Sequence, residues 1–130
     1  MVRLKLLNGL HLCSEDGKIV SVCTDGHRLA KYKSQADGAD SLSIIIPRKA
    51  ILEINRIINS FNDNNKNIMK YSYNSTTFHI KINDYVIISK LIEGNYPNFN
   101  KVIPESTSAE IIVNKITLKN SLNIISKVVN

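Results

Sequence analysis

The sequence predicts an α+β fold, and three observations carry that prediction. Short runs with every second residue apolar recur along the chain, whereas residues 47–61 repeat their apolar side chains at three- and four-residue spacing. Turn-forming residues punctuate the runs. A unit of strand, helix and three strands then recurs: residues 43–92 hold it in full, 2–34 read as the last three strands of a preceding copy, and 110–129 as the first strand and helix of a following one.

Taken in order, Val2 to Leu12 reads as a strand, with Leu4, Leu6, Leu10 and Leu12 on one face and Arg3, Lys5 and His11 on the other. Leu7 falls out of phase; a bend at Asn8-Gly9 and an outward apolar side chain are both compatible with that. Glu15-Asp16-Gly17 turns the chain into strands at about 18–24 and 28–34, which meet at Asp25-Gly26. In this hairpin Cys13 falls near Lys18 and Cys23 near Asn8, too far apart for a disulfide, so both are expected to be buried free thiols. Ser34 to Ser41 is a polar loop carrying Asp37-Gly38.

Ser43-Ile44-Ile45-Ile46 is a continuous β-branched run, the pattern of a strand buried on both faces. Pro47 opens the helix at a position where its missing N–H is not needed. Ala50, Ile51, Ile54, Ile57, Ile58 and Phe61 form its apolar stripe, and Arg48, Lys49 and Arg56 lie opposite with Glu53. Asn62 to Asn65 is the loop that ends it. Strands follow at about 67–73, 76–82 and 85–92, with short turns at Asn74-Ser75 and Asn83-Asp84. Tyr71, Tyr73 and Phe78 are read as packing residues of these strands. Residues 93–104 are irregular and 105–108 resemble a linker; 109–113 read as a strand and 115–129 as a helix with Leu118, Leu122, Ile125, Val128 and Val129 on its apolar stripe.

Composition narrows the function. Hydrophobic residues make up 43% of the chain, enough for a packed core, and 22% are charged. Lys and Arg number 17 against 11 Asp and Glu, a formal +6 that suits an anionic partner such as DNA, RNA or a membrane surface. An excess of Ile, Asn and Lys also arises from codon bias alone. No apolar run approaches the roughly 18 residues of a membrane span, and the first residues enter a strand pattern rather than a secretory signal. A cytoplasmic location is expected.

The stretch Thr24-Asp25-Gly26-His27-Arg28-Leu29 holds more than a turn needs. His27 beside Asp25 raises acid–base catalysis, and His11 with His79 raises a metal site. No second ligand lies at metal spacing and no nucleophile sits in a recognisable motif, so neither enzymatic activity nor a metal or other cofactor is expected. Asp25 reads as a turn residue and His27 as part of the lip of a binding site.

Leu7-Asn8-Gly9, Thr24 to Ala30, Ile46-Pro47-Arg48-Lys49-Ala50, and Ser89 to Pro97 followed by Val102-Ile103-Pro104 together resemble the middle domain of the bacterial DNA polymerase sliding clamp, the beta subunit. The resemblance divides the chain into 1–104, a middle domain lacking its first strand and helix; 105–109, a linker; and 110–130, the first strand and helix of a third domain. It implies the DNA clamp fold and a processivity factor: a ring of two protomers around duplex DNA, with helices lining the hole, that tethers polymerases and repair proteins. Clamp-binding peptides of DNA polymerases and of the clamp loader dock in a cleft, whose middle-domain wall the resemblance assigns to Leu7, Thr24, Gly26, His27, Arg28, Leu29, Pro97, Lys101 and Val102. Arg48, Lys49 and Arg56, and in the next domain Lys119 and Lys127, are the expected DNA-facing cations, making sequence-neutral phosphate contacts; Arg3 and Lys5 also stand near the rim.

Two departures from the family pattern stand out. Lys101 replaces a usual Arg, losing the planar fork, and Asn98-Phe99 replace a usual Asp-Tyr. A fragment with one wall of the cleft is expected to bind peptide weakly. It is expected to be monomeric, or a dimer exchanging 110–129 between chains. The alternative reading is the product of a split or decaying clamp gene without activity of its own.

Overall fold

The computed structural model describes residues 2–36, 41–61 and 69–129. The expected Asp37-Gly38 turn, the Asn62–Asn65 loop and the first residues of the strand from 67 lie outside the described residues. The chain divides into two compact units, Met1–Asn98 and Phe99–Asn130.

In the first unit a short helix, α1 (Val2–Leu7), leads into strands β1 (Gly9–Glu15), β2 (Lys18–Thr24), β3 (Leu29–Gln35) and β4 (Ser43–Pro47). These form an antiparallel sheet in the order β3-β2-β1-β4. Helix α2 (Arg48–Ser60) follows, then β5 (Met69–Tyr73), β6 (Thr77–Ile82) and β7 (Tyr85–Lys90), a second sheet in the order β5-β6-β7. Just beyond β7 the Ile92 N–H donates to the Ile45 carbonyl at 2.9 Å, which ties the two sheets edge to edge.

The core lies where α2 covers both sheets. Ile19, Ile44 and Ile46 of the first sheet meet Phe78, Ile80 and Ile82 of the second, with Ile57 from the helix buried among them. Ala50, Ile51, Ile54 and Phe61 pack against this cluster, as their helical spacing predicts. The other side of the first sheet is buried too, through Val20, Val22 and Ile45. Ser43 to Ile46 is therefore the doubly covered strand its composition predicts.

His11 is buried on that second side, not on an exposed polar face as alternation with Arg3 and Lys5 suggests. Its ring stacks on Tyr96 with centroids 4.6 Å apart, and Nε2 lies 3.2 Å from the Ser43 hydroxyl. Burial holds the imidazole below its ordinary pKa.

Three more expectations need correction. Residues 2–7 are helical, not extended, and the Asn8 N–H closes the last turn on the Lys5 carbonyl. Six residues are too few to separate a period of two from one of 3.6. The β1–β2 turn has only Asp16 and Gly17 at its tip, both at positive φ (52° and 70°), so Cys13 faces Val20 rather than Lys18. Cys13 is buried, but Cys23 is exposed, although alternation puts it on the same face of β2 as the core residue Ile19.

The second unit contains a 3₁₀ turn (Phe99–Val102) and helix α3 (Lys115–Ile125). Asn114 caps α3, its side-chain oxygen accepting from the Ile116 and Thr117 N–H groups at 3.0 and 3.1 Å. Residues 109–113 form no ladder and are not a strand, since an extended run needs a neighbour for its N–H and C=O groups. The expected apolar stripe of α3, including Leu118, Leu122 and Ile125, is exposed.

Gly9 marks the tightest approach in the first unit. A Cβ there would stand 2.7 Å from the Ile46 carbonyl oxygen and 3.0 Å from the side chains of Ile45 and Ile92. Gly9→Ala should lower unfolding stability by about 1–3 kcal/mol in a denaturant titration, because the β1–β4 ladder has to shift to admit the methyl. An unchanged midpoint would contradict this packing.

Candidate functional site

Between β2 and β3 the chain turns through Asp25 to Arg28, and local hydrogen bonds hold the turn. The Thr24 hydroxyl donates to the Arg28 carbonyl at 2.7 Å and accepts from the Gly26 N–H at 3.1 Å. One oxygen of the Asp25 carboxylate accepts from the His27 and Arg28 N–H groups, each at 3.0 Å, and the other from Arg28 Nε at 2.9 Å. The two backbone donors, then the guanidinium, lower the Asp25 carboxyl to about pKa 2. Gly26 sits at φ 92°, a conformation that L side chains rarely adopt. A short polar side chain accepting from the backbone two residues on is the turn chemistry Asp favours, so Asp25 shapes this lip.

Helix α1 brings Leu7 to the base of the same turn, and α2 begins beside it: the Arg48 N–H donates to the Asn8 carbonyl at 3.1 Å. A cavity of about 430 Å³ opens here. Leu7, Leu29, Ala30 and Cys23 supply its apolar side, and Asn8, Thr24, Asp25, Arg28 and Arg48 the polar remainder. Cys23 Sγ lies 3.7 Å from the Gly9 carbonyl. Behind the turn, burial pushes the Tyr96 phenol above its ordinary pKa; nearby Cys23 adds to the rise and the Thr24 backbone amide opposes it.

Of the nine cleft residues expected from the sequence, Leu7, Thr24, Arg28 and Leu29 line this cavity together. Gly26 and His27 form the exposed tip of the turn. Pro97 is half-buried next to Tyr96 and is not part of the lining. Lys101 and Val102 belong to the second unit, where both are exposed on the 3₁₀ turn. Sequence reasoning missed Cys23, Ala30 and Asn8 as lining residues. Alternation along β2 and β3 places Cys23 and Ala30 on one side of the sheet, but nothing in the sequence shows that this side opens on a cavity.

Arg48 is a different case. Expected among the DNA-facing cations, it is exposed and also borders the cavity. Lys49 and Arg56 are exposed on the outer face of α2, and Arg56 Nε donates to Glu53 at 3.1 Å. Lys119 and Lys127 are exposed, the first on α3 and the second just after it.

An apolar pocket with a polar rim can seat an apolar side chain and orient its backbone. Among the described residues, no three of His, Cys, Asp and Glu gather as a metal ion would need. No helix among them is long and apolar enough to cross a membrane.

This α+β arrangement of two antiparallel sheets and a helix is that of solved sliding clamps. The crystal structure of the DNA polymerase sliding clamp from Bacillus subtilis superposes with a TM-score of 0.80 at 28% identity, over 96% of this chain and 32% of that one. The beta sliding clamp of Buchnera aphidicola subsp. Rhopalosiphum padi is 35% identical over 117 residues, 89% of this chain and 31% of the relative. That of Bacillus subtilis is 31% identical over 84% of this chain and 28% of the relative. Residues 2–98 match the family described as DNA polymerase III beta subunit, central domain, and the chain belongs to that family. The family is non-enzymatic. The chain spans about a third of the length of these relatives.

The geometry of the turn sets its pH dependence. The folded pKa of Asp25 lies below the unfolded value of about 3.9, so its contribution to order is complete above that value and is lost as pH falls through about 2. A carboxyl ¹³C titration should give a midpoint near 2 for Asp25. Asp25→Asn, which keeps one acceptor oxygen, should preserve slow amide exchange at His27 and Arg28, and Asp25→Ala should lose it. An ordinary carboxylate midpoint would show that the turn is not held in this way.

Proposed function

We propose that this chain supplies the middle-domain part of a ring-shaped sliding clamp of the cytoplasm, a processivity factor that tethers a replicative polymerase and repair proteins to duplex DNA. The observation that carries this reading is the cavity shared by Leu7, Thr24, Arg28 and Leu29. Residues from the end of a helix, a strand end and the far side of a turn converge on one apolar pocket, and each belongs to a motif that resembles the clamp's. In this reading the cavity is one wall of the cleft that receives clamp-binding peptides of polymerases and of the clamp loader. Gly26 and His27 border it.

Lys49 and Arg56, exposed on α2, then face the DNA backbone, as do Lys119 and Lys127 in the following domain. Contacts of this kind are electrostatic and sequence-neutral. The Glu53 partner of Arg56 offsets part of that charge, so Lys49 carries more of the contact on α2. The chain spans about a third of the clamps it matches, which suits a module that acts beside further domains.

A clamp-binding peptide titrated into the ¹⁵N-labelled chain should shift Leu7 and the Thr24–Leu29 amides, with a Kd weaker than micromolar because one wall acts alone. Leu29→Ala should weaken the binding about tenfold. Shifts centred on other exposed apolar residues, such as Val86 and Ile88, or binding indifferent to Leu29→Ala, would contradict the assignment.

A further inference from the structure

The two sheets of the first unit follow one plan, and among the described residues the second holds one strand fewer. The first runs β3-β2-β1-β4 and the second β5-β6-β7. β1 and β5 each open a run of three consecutive antiparallel strands. On its other edge β1 pairs antiparallel with β4, whereas no described strand pairs with the outer edge of β5. Met69 and Tyr73 of β5 stand opposite Ile82 and Phe78 on the core side of the sheet, yet they are 47% and 41% exposed. An open row of N–H and C=O groups beside a half-covered apolar face is a template for one more strand.

The chain itself carries a segment of the matching form. Glu110-Ile111-Ile112-Val113-Asn114 stands before α3 as Ser43-Ile44-Ile45-Ile46-Pro47 stands before α2, in step at every position. Leu118, Ile124 and Ile125 then fall where α2 has Ile51, Ile57 and Ile58. Ile44, Ile46 and Ile57 are buried, but Ile111 and Ile112 are 82% and 93% exposed, and Leu118, Ile124 and Ile125 are exposed too. We infer that this chain forms a two-fold dimer in which residues 110–125 of each copy complete the second sheet of the other. Residues 110–113 pair antiparallel with the outer edge of β5. Ile111 and Val113 turn to the helix side, as Ile44 and Ile46 do, and α3 covers Met69 and Tyr73. The occupant is a second copy because the connection is stiff. Pro97, the 3₁₀ turn Phe99–Val102 and Pro104 lie between β7 and the segment, and a stiff connection favours exchange over folding back. The exchange is reciprocal, so it closes at two copies.

The test uses the full chain and two variants. Light scattering should give twice the mass of one copy. In hydrogen exchange every second amide of β5, those turned away from β6, should be protected. Successive N–H groups of an extended run point to opposite edges, so of Ile111→Pro and Ile112→Pro one must strike the added ladder. Both sites are exposed in the single chain, so the first unit keeps its fold in either variant. At least one variant should run at the mass of one copy, with those β5 amides exchanging about tenfold faster and the β6 amides unchanged. In an equimolar mixture of methyl-labelled and ¹⁵N-labelled copies, Overhauser cross-peaks should join the Ile111 or Val113 methyls of one copy to β5 amides of the other. A single-copy mass for the unaltered chain overturns the dimer, whether β5 is then protected by the chain's own segment or left open. A dimer that survives both variants with β5 protection unchanged overturns the strand exchange.

Discussion

Ile44, Ile45 and Ile46 have no exposed face, and the burial of these three side chains governs much of the first unit. Their removal from water on both sides of one strand favours burial by a few kcal/mol per side chain, on the order of 1.5–3. Because β4 cannot move without exposing one side or the other, everything paired to it inherits a fixed position. β1 lies against it in a register that sets Gly9 opposite Pro47 and Leu10 opposite Ile46. The second sheet joins it through the Ile92–Ile45 hydrogen bond, and α2 begins where it ends.

The groove follows from that register. Gly9 permits β1 to press against the Ile46 carbonyl, which brings Leu7 and Asn8, one step earlier in the chain, beside Arg48. On the other side of β1, β2 and β3 carry Cys23, Thr24, Leu29 and Ala30 to the same place. Asp25 then shapes the lip by holding two backbone N–H groups and one guanidinium. A change in the β1–β4 register by one residue would turn the Leu10 and Leu12 side away from the core and dissolve the cavity's lining at the same time.

How much of this was legible in the sequence depends on the range of the interaction. Strands such as Thr77–Ile82, with period two, and helix α2, with its repeating isoleucines, show in the local pattern because one face of each is buried. The Thr24–Leu29 lip was legible through Asp25-Gly26, a local turn chemistry. Residues 2–7 were not, because a helix of one and a half turns looks like a strand when alternate residues happen to be leucine. His11 and Cys23 were misplaced for a different reason: alternation tells which residues share a face, but not which face receives a cover such as Tyr96.

Under the proposed function, the register imposed by β4 builds a peptide-docking wall from Leu7 and Leu29. Intermolecular nuclear Overhauser effects between a clamp-binding peptide and methyl-labelled protein test it most directly. Cross-peaks from the peptide's apolar anchor to the Leu7 and Leu29 methyls are expected. Cross-peaks confined to other exposed apolar groups, such as Leu52 on α2 or Ile88 on β7, would contradict it.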